Sequence, residues 1–459
     1  MDYGIFCLLP IVVIIVMAII TRRGIASLLV GACVCYIMLN GIHFFGPMMD
    51  ALYESLMDED LIWLLLVCLF LGSLTVLLEK SKAVNGMANF MMRWANSPKK
   101  SLLAAWVAGL IIFMDDYLNI LVVGSLIKKV TDKNGIPREM LGYVVDSTAA
   151  PVCLLIPLSS WAVFFSVIIG EQAEYASLGS GMDIYCHSIP FIFYAWLTIL
   201  IVPLVILGVI PKFGPMRKAF ERAKAGKLVS DESAKLAVNE DIISADEANT
   251  EDKYEDGNMW FFILPVLLLI AVTIWQDDIL LGLIAANALL ILFMLIARTL
   301  SFNDLCDSIL DGFASSMPLV VICAIAVFAR LGFTDLKIAD YIIETTSSFL
   351  SPSLFPALTF IIVAVLAFVT VSCWGMVAVS IPILIPLAAA VGANPYLVVG
   401  AILAGSGFGS HSCPFEDASI LTSQVTGISY IEHFTTQFPF AAIGGIGSVI
   451  LYLICGFAF

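Results

Sequence analysis

Charged residues are scarce in this chain. Asp, Glu, Lys and Arg together make up 13% of its 459 residues, whereas hydrophobic residues make up 61%. A soluble globular protein carries about 25% charged residues, so this sequence could not cover a water-facing surface of the required size. The composition therefore excludes a soluble enzyme and a disordered chain. The net charge of −15 also argues against a nucleic acid as partner.

Paired cysteines and barrel-type alternation are lacking as well. Most of the 11 cysteines, such as Cys33, Cys68 and Cys323, lie inside apolar runs, where cysteine behaves as a small hydrophobic residue. No CxxC pair suggests a metal site, so we expect free thiols and no cofactor. Apolar runs such as 8–20 and 263–274 are unbroken, unlike the alternating strands of a barrel. The sequence predicts an all-α polytopic membrane protein embedded in the lipid bilayer.

The basic residues indicate how the chain crosses the membrane, because cytoplasmic loops carry an excess of Lys and Arg. An apolar stretch is preceded by Lys100 and followed by Lys128, so a simple crossing would leave basic residues outside. A re-entrant hairpin over 101–130 removes this conflict, since each arm of about 13 residues reaches only the membrane midplane. With this hairpin, every basic residue except Arg330 and Lys337 lies in the cytoplasm.

The two halves of the sequence repeat each other weakly. Segments 53–56 and 146–150 correspond to 306–309 and 404–408. We expect each repeat to contain five transmembrane helices and one re-entrant hairpin, and because five is odd, the second repeat is inverted. Inverted repeats with broken helices at the membrane midplane are typical of secondary transporters. The predicted division is a first repeat over 1–210, a cytoplasmic polar linker over 211–257 and a second repeat over 258–459, with hairpins over 101–130 and 354–390.

Two adjacent acids lie in the middle of the first hairpin. Asp115 and Asp116 are followed by Asn119 within an otherwise apolar stretch. A charged side chain at the bilayer centre costs about 2.5–3.5 kcal/mol on insertion scales, so such residues are usually functional. We interpret them as part of a cation or proton site. The alternative is a hairpin tip that reaches water.

A third acid, Asp146, lies at membrane depth in the next apolar stretch. Pro151 follows it and removes a helix hydrogen bond, which exposes carbonyl groups upstream. Hydroxyl, carbonyl and carboxylate oxygens suit hard cations, and we predict Asp116 and Asp146 as Na⁺ ligands. Close helix packing would explain the neighbouring small residues but not the acid. The accompanying hydroxyl candidates are Ser147, Thr148 and Ser159.

The second half carries a glycine-rich polar segment over 405–417. Gly405, Gly407 and Gly409 alternate ahead of Pro414, a pattern that predicts a broken helix. Irregular backbone at this depth is tolerated only where it lines a cavity or is covered by protein. The candidate site residues of this half are Ser372, Trp374, Ser406, Ser410, His411 and Asp417.

Other titratable residues of the chain have simpler interpretations. His43, His187 and His433 lie near the ends of predicted spans, so we expect them to be interfacial. We expect Glu416 to face water. Trp374 could equally be a packing residue.

Several long motifs follow one another over most of the chain. They are Phe113-Met114-Asp115-Asp116-Tyr117, Thr131-Asp132-Lys133, Arg138-Glu139, Asp146-Ser147-Thr148-Ala149-Ala150-Pro151-Val152, Ser372-Cys373-Trp374-Gly375, Ser410-His411-Ser412-Cys413-Pro414 with Asp417, and Thr436-Gln437-Phe438-Pro439. Their content and order resemble the NhaC-type sodium/proton antiporter family. The resemblance implies a secondary antiporter of elevator type, within a wider superfamily that includes dicarboxylate carriers. Relatives of this family exchange malate for lactate, coupled to Na⁺ and H⁺.

Two positions depart from the family pattern. The family favours an acid where this chain has Ser410, and a Gly-Thr-Ser-Trp-Gly-Thr hairpin where this chain has Val-Ser-Cys-Trp-Gly-Met over 371–376. The missing carboxylate leaves more room and less negative charge near the predicted site. Transport of an anionic or zwitterionic organic solute therefore becomes a second hypothesis, unless Asp417 supplies the missing acid and Ser410 only packs.

Three classes of membrane protein can be weighed against these features. A channel needs a continuous polar pore, whereas the acids here cluster at one depth. An intramembrane aspartyl protease needs a Gly-x-Gly-Asp signature, which the sequence lacks.

We therefore predict no enzyme but a multi-pass antiporter of the cell membrane that exchanges Na⁺ and/or H⁺. The alternative is a Na⁺- or H⁺-coupled transporter of a small carboxylate such as malate or lactate, or of an amino acid. The oligomeric state stays open, with a homodimer as one option.

Overall fold

The fold is known from a computed structural model in which every described element is a helix. The all-α prediction is therefore confirmed for the described part of the chain. That part comprises residues 3–21, 24–57, 59–83, 86, 95–234, 257–276, 278–346, 350–371 and 373–459.

In the first half of the chain, the helices that follow residue 98 are generally shorter and more often interrupted than those before it. Four short 3₁₀ segments accompany the α-helices, at Gly4–Leu8, Gly41–His43, Ala173–Leu178 and Ile189–Phe191. The α-helices are α1 (Leu9–Thr21), α2 (Gly24–Asn40), α3 (Phe45–Leu56), α4 (Glu59–Lys80), α5 (Pro98–Ile111), α6 (Asp116–Lys133), α7 (Arg138–Ser147), α8 (Ala150–Cys153), α9 (Ser160–Gly170), α10 (Gly181–Ser188), α11 (Phe193–Leu207) and α12 (Gly214–Lys224).

The second half contains the two longest described helices. It consists of α13 (Trp260–Gln276), α14 (Ile279–Ala297), α15 (Phe302–Asp335), α16 (Ile338–Thr346), α17 (Phe355–Thr370), α18 (Cys373–Val391), α19 (Pro395–Ser412), α20 (Asp417–Thr426) and α21 (Tyr430–Ala458).

Several of these helices can cross a bilayer by their length and composition alone. A span needs about 20 predominantly apolar residues, and five described segments meet such a requirement. A sixth results if Gly181–Phe191 and Phe193–Leu207, which are bent by 47° at their junction, form one broken span. The five segments are Ile25–His43, Leu61–Lys80, Ile279–Ala297, Cys373–Val391 and Tyr430–Ala458.

The helices pack into two groups, and each group draws on both halves of the sequence. The first group contains α1–α4 and α13–α15, in which α15 packs against α2 and α4, and α14 packs against α4 and α13. The second group contains α5–α12 and α17–α21, in which α17 packs against α19, and α11 and α17 pack against α21. The groups meet along several helix pairs, which include α4 with α9, α15 with α18, α1 with α17 and α2 with α18.

Small residues allow the close contact between α4 and α15. A Cβ atom on Gly72 would lie 2.5 Å from the carbonyl oxygen of Gly312, so the two backbones touch at this point. Beside it, Ser73 Oγ donates a hydrogen bond to Asn287 Oδ1 over 2.9 Å. Small residues and interhelical hydrogen bonds are the usual basis of helix association in membranes.

The first predicted hairpin corresponds to α5 and α6, which fold back on each other. Asn134, just after α6, donates from Nδ2 to Ser101 Oγ near the start of α5 over 2.9 Å. The two outer ends therefore meet, and the break at 112–115 forms the turn. The second predicted hairpin corresponds to α17 and α18, with its turn at Val371. Whether either pair is re-entrant in a membrane stays a prediction.

The predicted break at the alternating glycines is wrong. Helix α19 continues through Gly405 and Gly409 to Ser412, and the chain becomes irregular only from Cys413. Glycine at these positions serves packing instead: a Cβ on Gly409 would lie 2.3 Å from the Cβ of Ala367 on α17. The pattern was ambiguous because glycine both weakens a helix and lets a neighbouring helix approach.

The first part of the predicted linker packs against the second helix group. Helix α12 buries Met216, Ala219 and Ala223, and Arg222 donates from Nη2 to both carboxylate oxygens of Glu139, over 2.6 and 2.8 Å. The rest of the linker, 235–256, lies outside the described residues, as does the basic pair 22–23.

Candidate functional site

Asn119 holds the backbone of the first helix break. Its Nδ2 atom lies within hydrogen-bond distance of three carbonyl oxygens, those of Gly109 (2.7 Å), Ile112 (2.8 Å) and Thr148 (2.8 Å). These carbonyls belong to the ends of α5 and α7, which lack partners within their own helices. Asn119 therefore ties two interrupted helices together, and this explains a buried amide at this position.

Asp115 begins the helix that carries Asp116. Its backbone is extended, and its Oδ1 accepts the N–H of Leu118 over 3.0 Å, so the side chain caps α6. A carboxylate is favourable at a helix N-terminus, where N–H groups are unpaired and the helix dipole is positive. Asp116 follows in the first turn and is 3% exposed, and its Oδ1 has no hydrogen-bond partner among the described residues.

The neighbouring break between α8 and α9 is held by serine residues. Ser159 donates from Oγ to the carbonyl of Cys153 over 2.6 Å, and accepts the N–H of Ala162 over 3.1 Å as the cap of α9. Ser160 donates its N–H to the carbonyl of Met114 over 3.0 Å. These contacts join the two breaks, so Ser159 has a structural role in this conformation.

A cavity of about 910 Å³ lies between the two helix groups. The first group contributes α2, α4 and α15 to its wall, and the second contributes α6, α9, α18 and α20 together with both hairpin turns. Five carboxyl groups line this cavity, and no Lys, Arg or His belongs to its described lining. The acids are Glu79, Asp115, Asp116, Glu416 and Asp417.

Glu416 is buried in this wall, and the expectation that it faces water is wrong. It is 7% exposed. Its Oε2 accepts the N–H of Ala418 over 3.0 Å as the cap of α20, and its Oε1 accepts the thiol of Cys373 over 3.3 Å. Pro414 and the irregular backbone around it turn the chain inward here, which the local sequence does not reveal.

Trp374 belongs to an aromatic group on the same wall. Its ring centroid lies 4.7 Å from that of Trp161, 5.0 Å from that of Phe164 and 5.5 Å from that of Phe165. The indole is half-buried and also lines the cavity. It therefore combines a packing role with a surface that a bound molecule can contact.

Asp146 lies in a second polar cluster, which is closed to solvent. Its Oδ2 accepts hydrogen bonds from His433 Nε2 over 2.8 Å, from Gln437 Nε2 over 2.7 Å and from Ser419 Oγ over 3.3 Å. Asp146 and His433 side chains are each 1% exposed. A buried carboxylate requires partners of this kind, since burial without them is costly.

His411 extends this cluster on the other side. Its Nε2 lies 3.0 Å from Ser147 Oγ and its Nδ1 lies 2.6 Å from the hydroxyl of Tyr194. The carbonyl of His411 accepts a second N–H of Gln437 over 2.5 Å. Gln437 thus links the carboxylate of Asp146 to the backbone carbonyl of His411. The groups in direct contact that can hold a proton are Asp146 and His433.

His433 was expected at an interface, and this expectation is wrong. It faces the inside of the second group because it lies one turn before Gln437 on α21, so both side chains point to the same face. Gly142 makes room for the ring, since a Cβ there would lie 3.0 Å from His433 Nδ1. The spacing of two polar residues on one face of an apolar helix was the available signal. By contrast, His43 and His187 are exposed, and their position at a membrane interface stays a prediction.

The predicted site residues fall into distinct places. Asp116 and Asp146, predicted together as Na⁺ ligands, lie in the cavity wall and in the buried cluster respectively. Ser406 donates to the carbonyl of Cys373 over 3.3 Å, and Ser410 is buried with its hydroxyl unpartnered among the described residues. Ser372 lies outside the described residues. The predicted residues that line the cavity are Asp115, Asp116, Trp374 and Asp417. Those in the buried cluster are Asp146, Ser147 and His411. Those at the helix breaks are Asn119, Thr148 and Ser159.

Within the described part of the chain, no group of three or more His, Cys, Asp or Glu side chains is arranged to hold a metal ion.

This fold is shared with solved membrane transporters. The chain aligns with MtrF of Neisseria gonorrhoeae, described as one of a class of antimetabolite efflux pumps, with a TM-score of 0.59 and 14% identity over 91% of this chain and 85% of the other. It aligns with the YdaH transporter of Alcanivorax borkumensis with a TM-score of 0.61 and 11% identity over 92% of this chain and 90% of the other. The chain therefore shares its fold with these two proteins.

Residues 152–457 match the profile of the Na⁺/H⁺ antiporter family. The chain belongs to this family and is a multi-pass membrane protein of secondary transport. It is 27% identical to an uncharacterized protein of Haemophilus influenzae over 99% of this chain and 92% of that protein.

Two further relatives match over about a third of their own length. A malate-2H⁺/Na⁺-lactate antiporter of Bacillus subtilis is 26% identical over 35% of this chain and 34% of that protein. The arginine/ornithine antiporter ArcD of Halobacterium salinarum is 26% identical over 34% of this chain and 32% of that protein.

Proposed function

We propose that this protein is a secondary antiporter that exchanges Na⁺ and/or H⁺ across the cytoplasmic membrane. The observation that carries the proposal is the free carboxylate oxygen of Asp116, buried at a helix break and facing a cavity lined by acids. Buried ionisable groups in membrane proteins usually mark ion pathways. A cation bound here would supply the partner that the carboxylate lacks.

The buried cluster provides a place for a proton. Asp146 and His433 share a hydrogen bond of 2.8 Å, so a proton can reside on either group. Among the described residues, His433 is the titratable side chain hydrogen-bonded to Asp146, whereas Gln437 connects Asp146 only to the backbone carbonyl of His411. In this proposal the cavity binds the cation, and the Asp146 cluster couples its binding to protonation.

The arrangement of the helices supports an elevator-type movement between two inverted repeats. Each helix group draws on both halves of the chain, as inverted repeats require. The cavity lies between the groups, so sliding of one group past the other would change its access. Arg330 on α15 and Glu171 beside α9 form an ion pair of 2.8 Å across this boundary, which such a movement would have to break.

The charge of the linker indicates the side of the membrane on which it lies. Arg222 and the basic residues around it predict a cytoplasmic location for 211–257 under the positive-inside rule. We propose that α12 covers the cytoplasmic end of the second group, where Glu139 binds Arg222.

A second candidate function is exchange of a small organic solute coupled to Na⁺ or H⁺. It is favoured by the cavity volume of about 910 Å³, which is within the range of about 300–1,000 Å³ typical of small-molecule sites. The activities named for the Bacillus and Halobacterium relatives belong to this class.

The test is ion exchange by the full-length protein in proteoliposomes that contain a pH-sensitive dye. Addition of Na⁺ outside should change the internal pH, and Asp116→Asn and Asp146→Asn should each abolish this change. Asp307→Asn is the matched control, because Asp307 is exposed on α15 and does not line the cavity. Wild-type exchange in both site variants would contradict the proposal.

A further inference from the structure

The charge of the cavity restricts the kind of solute that it can bind. Its described lining contains carboxyl groups but no basic side chain. The described contacts of Asp115 and Glu416 are with N–H groups at helix N-termini and with a thiol, which favour the carboxylates but supply no basic side chain. An anion placed here would meet like charges without a counter-ion, in a partly desolvated space where electrostatic interactions are strong.

One carboxylate oxygen in the wall lacks a hydrogen bond. Asp116 Oδ1 has no hydrogen-bond partner among the described residues, and the side chain of Asp116 is 3% exposed. Asp116 lines the cavity, as does Ser160, whose hydroxyl lies close to Asp115. Buried polar atoms are nearly always hydrogen-bonded, so an unpaired carboxylate oxygen beside a hydroxyl in this wall points to a ligand that donates hydrogen bonds.

The remainder of the wall is apolar and aromatic. Leu29 and Leu71 line the side of the first group, and Leu118 and Leu121 line the side of the second. Trp374 presents its indole ring to the same space. Such a wall suits a hydrocarbon chain, and an indole attracts an ammonium group through its π-electrons. A bare metal ion would leave most of this surface unused.

We propose that the cavity binds an organic ammonium ion, a protonated amine carried on an apolar chain, and that a carboxylate without an amino group is excluded. This inference rests on the proposed transport function and specifies its solute. The ammonium group donates to Asp116 and Ser160 and is neutralised by the surrounding acids, while its chain lies against the leucines and Trp374. The malate or lactate type of solute is thereby disfavoured for this chain.

The test uses four six-carbon probes that differ only in their end groups. They are hexane-1,6-diamine, 6-aminohexanoate, hexane-1,6-diol and adipate, and their binding to the purified full-length protein is measured by calorimetry at pH 7. We expect the diamine to bind tightest, 6-aminohexanoate about tenfold or more weaker, and the diol and adipate not measurably. One charged hydrogen bond accounts for a difference of this size. Adipate binding as tightly as the diamine would overturn the inference.

Variants of the wall assign the binding to this cavity. Asp417 is exposed to the cavity at the start of α20, so Asp417→Asn should fold and should weaken diamine binding about tenfold. Trp374→Leu should also weaken it. Asp307→Asn, outside the cavity, should leave the affinity unchanged. Unaltered affinity in both wall variants would show that the diamine binds elsewhere and would refute the site.

The exchange assay separates this inference from the proposed function. If Na⁺-driven proton exchange occurs but the diamine neither binds nor competes with Na⁺, the ammonium site is refuted and the antiporter function stands. If the diamine binds as expected but no cation is exchanged in proteoliposomes, the antiporter function is refuted and the cavity assignment stands.

Discussion

The hydrogen bond between Asp146 and His433 should be among the strongest single interactions in the second helix group. Both side chains are 1% exposed and their atoms are 2.8 Å apart. Removal of one partner from a buried ion pair costs about 3–5 kcal/mol, because the remaining charge is uncompensated. Loss of a neutral hydrogen bond costs only about 0.5–1.5 kcal/mol. The two cases can therefore be distinguished by experiment.

A double-mutant cycle separates the pair from its surroundings. His433→Ala removes the partner and some packing, whereas Asp146→Asn keeps the shape and removes the charge. We expect His433→Ala to destabilise the protein by about 3–5 kcal/mol when Asp146 is present. In the Asp146→Asn background only packing and a neutral bond are lost, so the expected cost falls by about 2 kcal/mol, which is the coupling energy.

The free energy of unfolding is measured by titration of the purified protein in mixed micelles with a denaturing detergent. The control combines substitutions of His433 and Ser73, a buried residue of the first group that is hydrogen-bonded to Asn287. Because Ser73 and His433 are far apart, their coupling energy should lie within about 0.5 kcal/mol of zero. If Asp146 and His433 also prove additive within this limit, the buried cluster does not hold an ionised pair, and the reasoning that makes it a proton-coupling site is refuted.

Three further outcomes are expected from the same unfolding titration. Val371 at the second hairpin turn has φ 54°, which is strained for a β-branched residue, so Val371→Gly should stabilise the protein by about 1 kcal/mol; a loss of stability would contradict this. Gly409→Ala should cost about 1–3 kcal/mol because the added methyl group meets α17, whereas Gly46→Ala, with open space around it, should be harmless; equal costs would exclude a packing role. Arg222→Ala should cost about 3–5 kcal/mol because its carboxylate partner is buried, whereas Arg217→Ala in an exposed pair should cost about 0–1 kcal/mol; equal costs would refute the burial argument.

The all-α fold class and the helix break between α5 and α6 could be predicted from the sequence, because both depend on local signals. A pair of acids in an apolar stretch is costly wherever the chain folds, and Asp115 also provides the oxygen that caps the following helix. The turn between α5 and α6 therefore falls where the sequence places the acids. The same reasoning could not predict the hydrogen bond from Asn119 to the carbonyl of Thr148, because this bond depends on how separate helices pack.

The errors concern residues whose role depends on a distant neighbour. The glycines of α19 look the same in sequence whether they break a helix or admit another one, and only the position of Ala367 decides. His433 lies near the beginning of a long helix, so a position at the interface was the simpler expectation. Its true environment is set by Asp146, far away in the sequence. Glu416 is likewise buried against a residue far away in the sequence, Cys373, whose thiol donates to it.

The two polar sites differ in how they would respond to relative movement of the helix groups. The described hydrogen-bond partners of the Asp146 and His411 side chains belong to α7, α11, α20 and α21 of the second group, so rigid movement of that group would leave these contacts intact. The cavity, in contrast, takes part of its wall from α2, α4 and α15 of the first group, so the same movement must change its shape. Under the proposed elevator movement, a solute bound at Asp116 would therefore sense the position of the groups, whereas a proton near Asp146 would travel with the second group. The proposed antiport requires both properties, because the access of the cation must change sides while the proton stays bound during the movement.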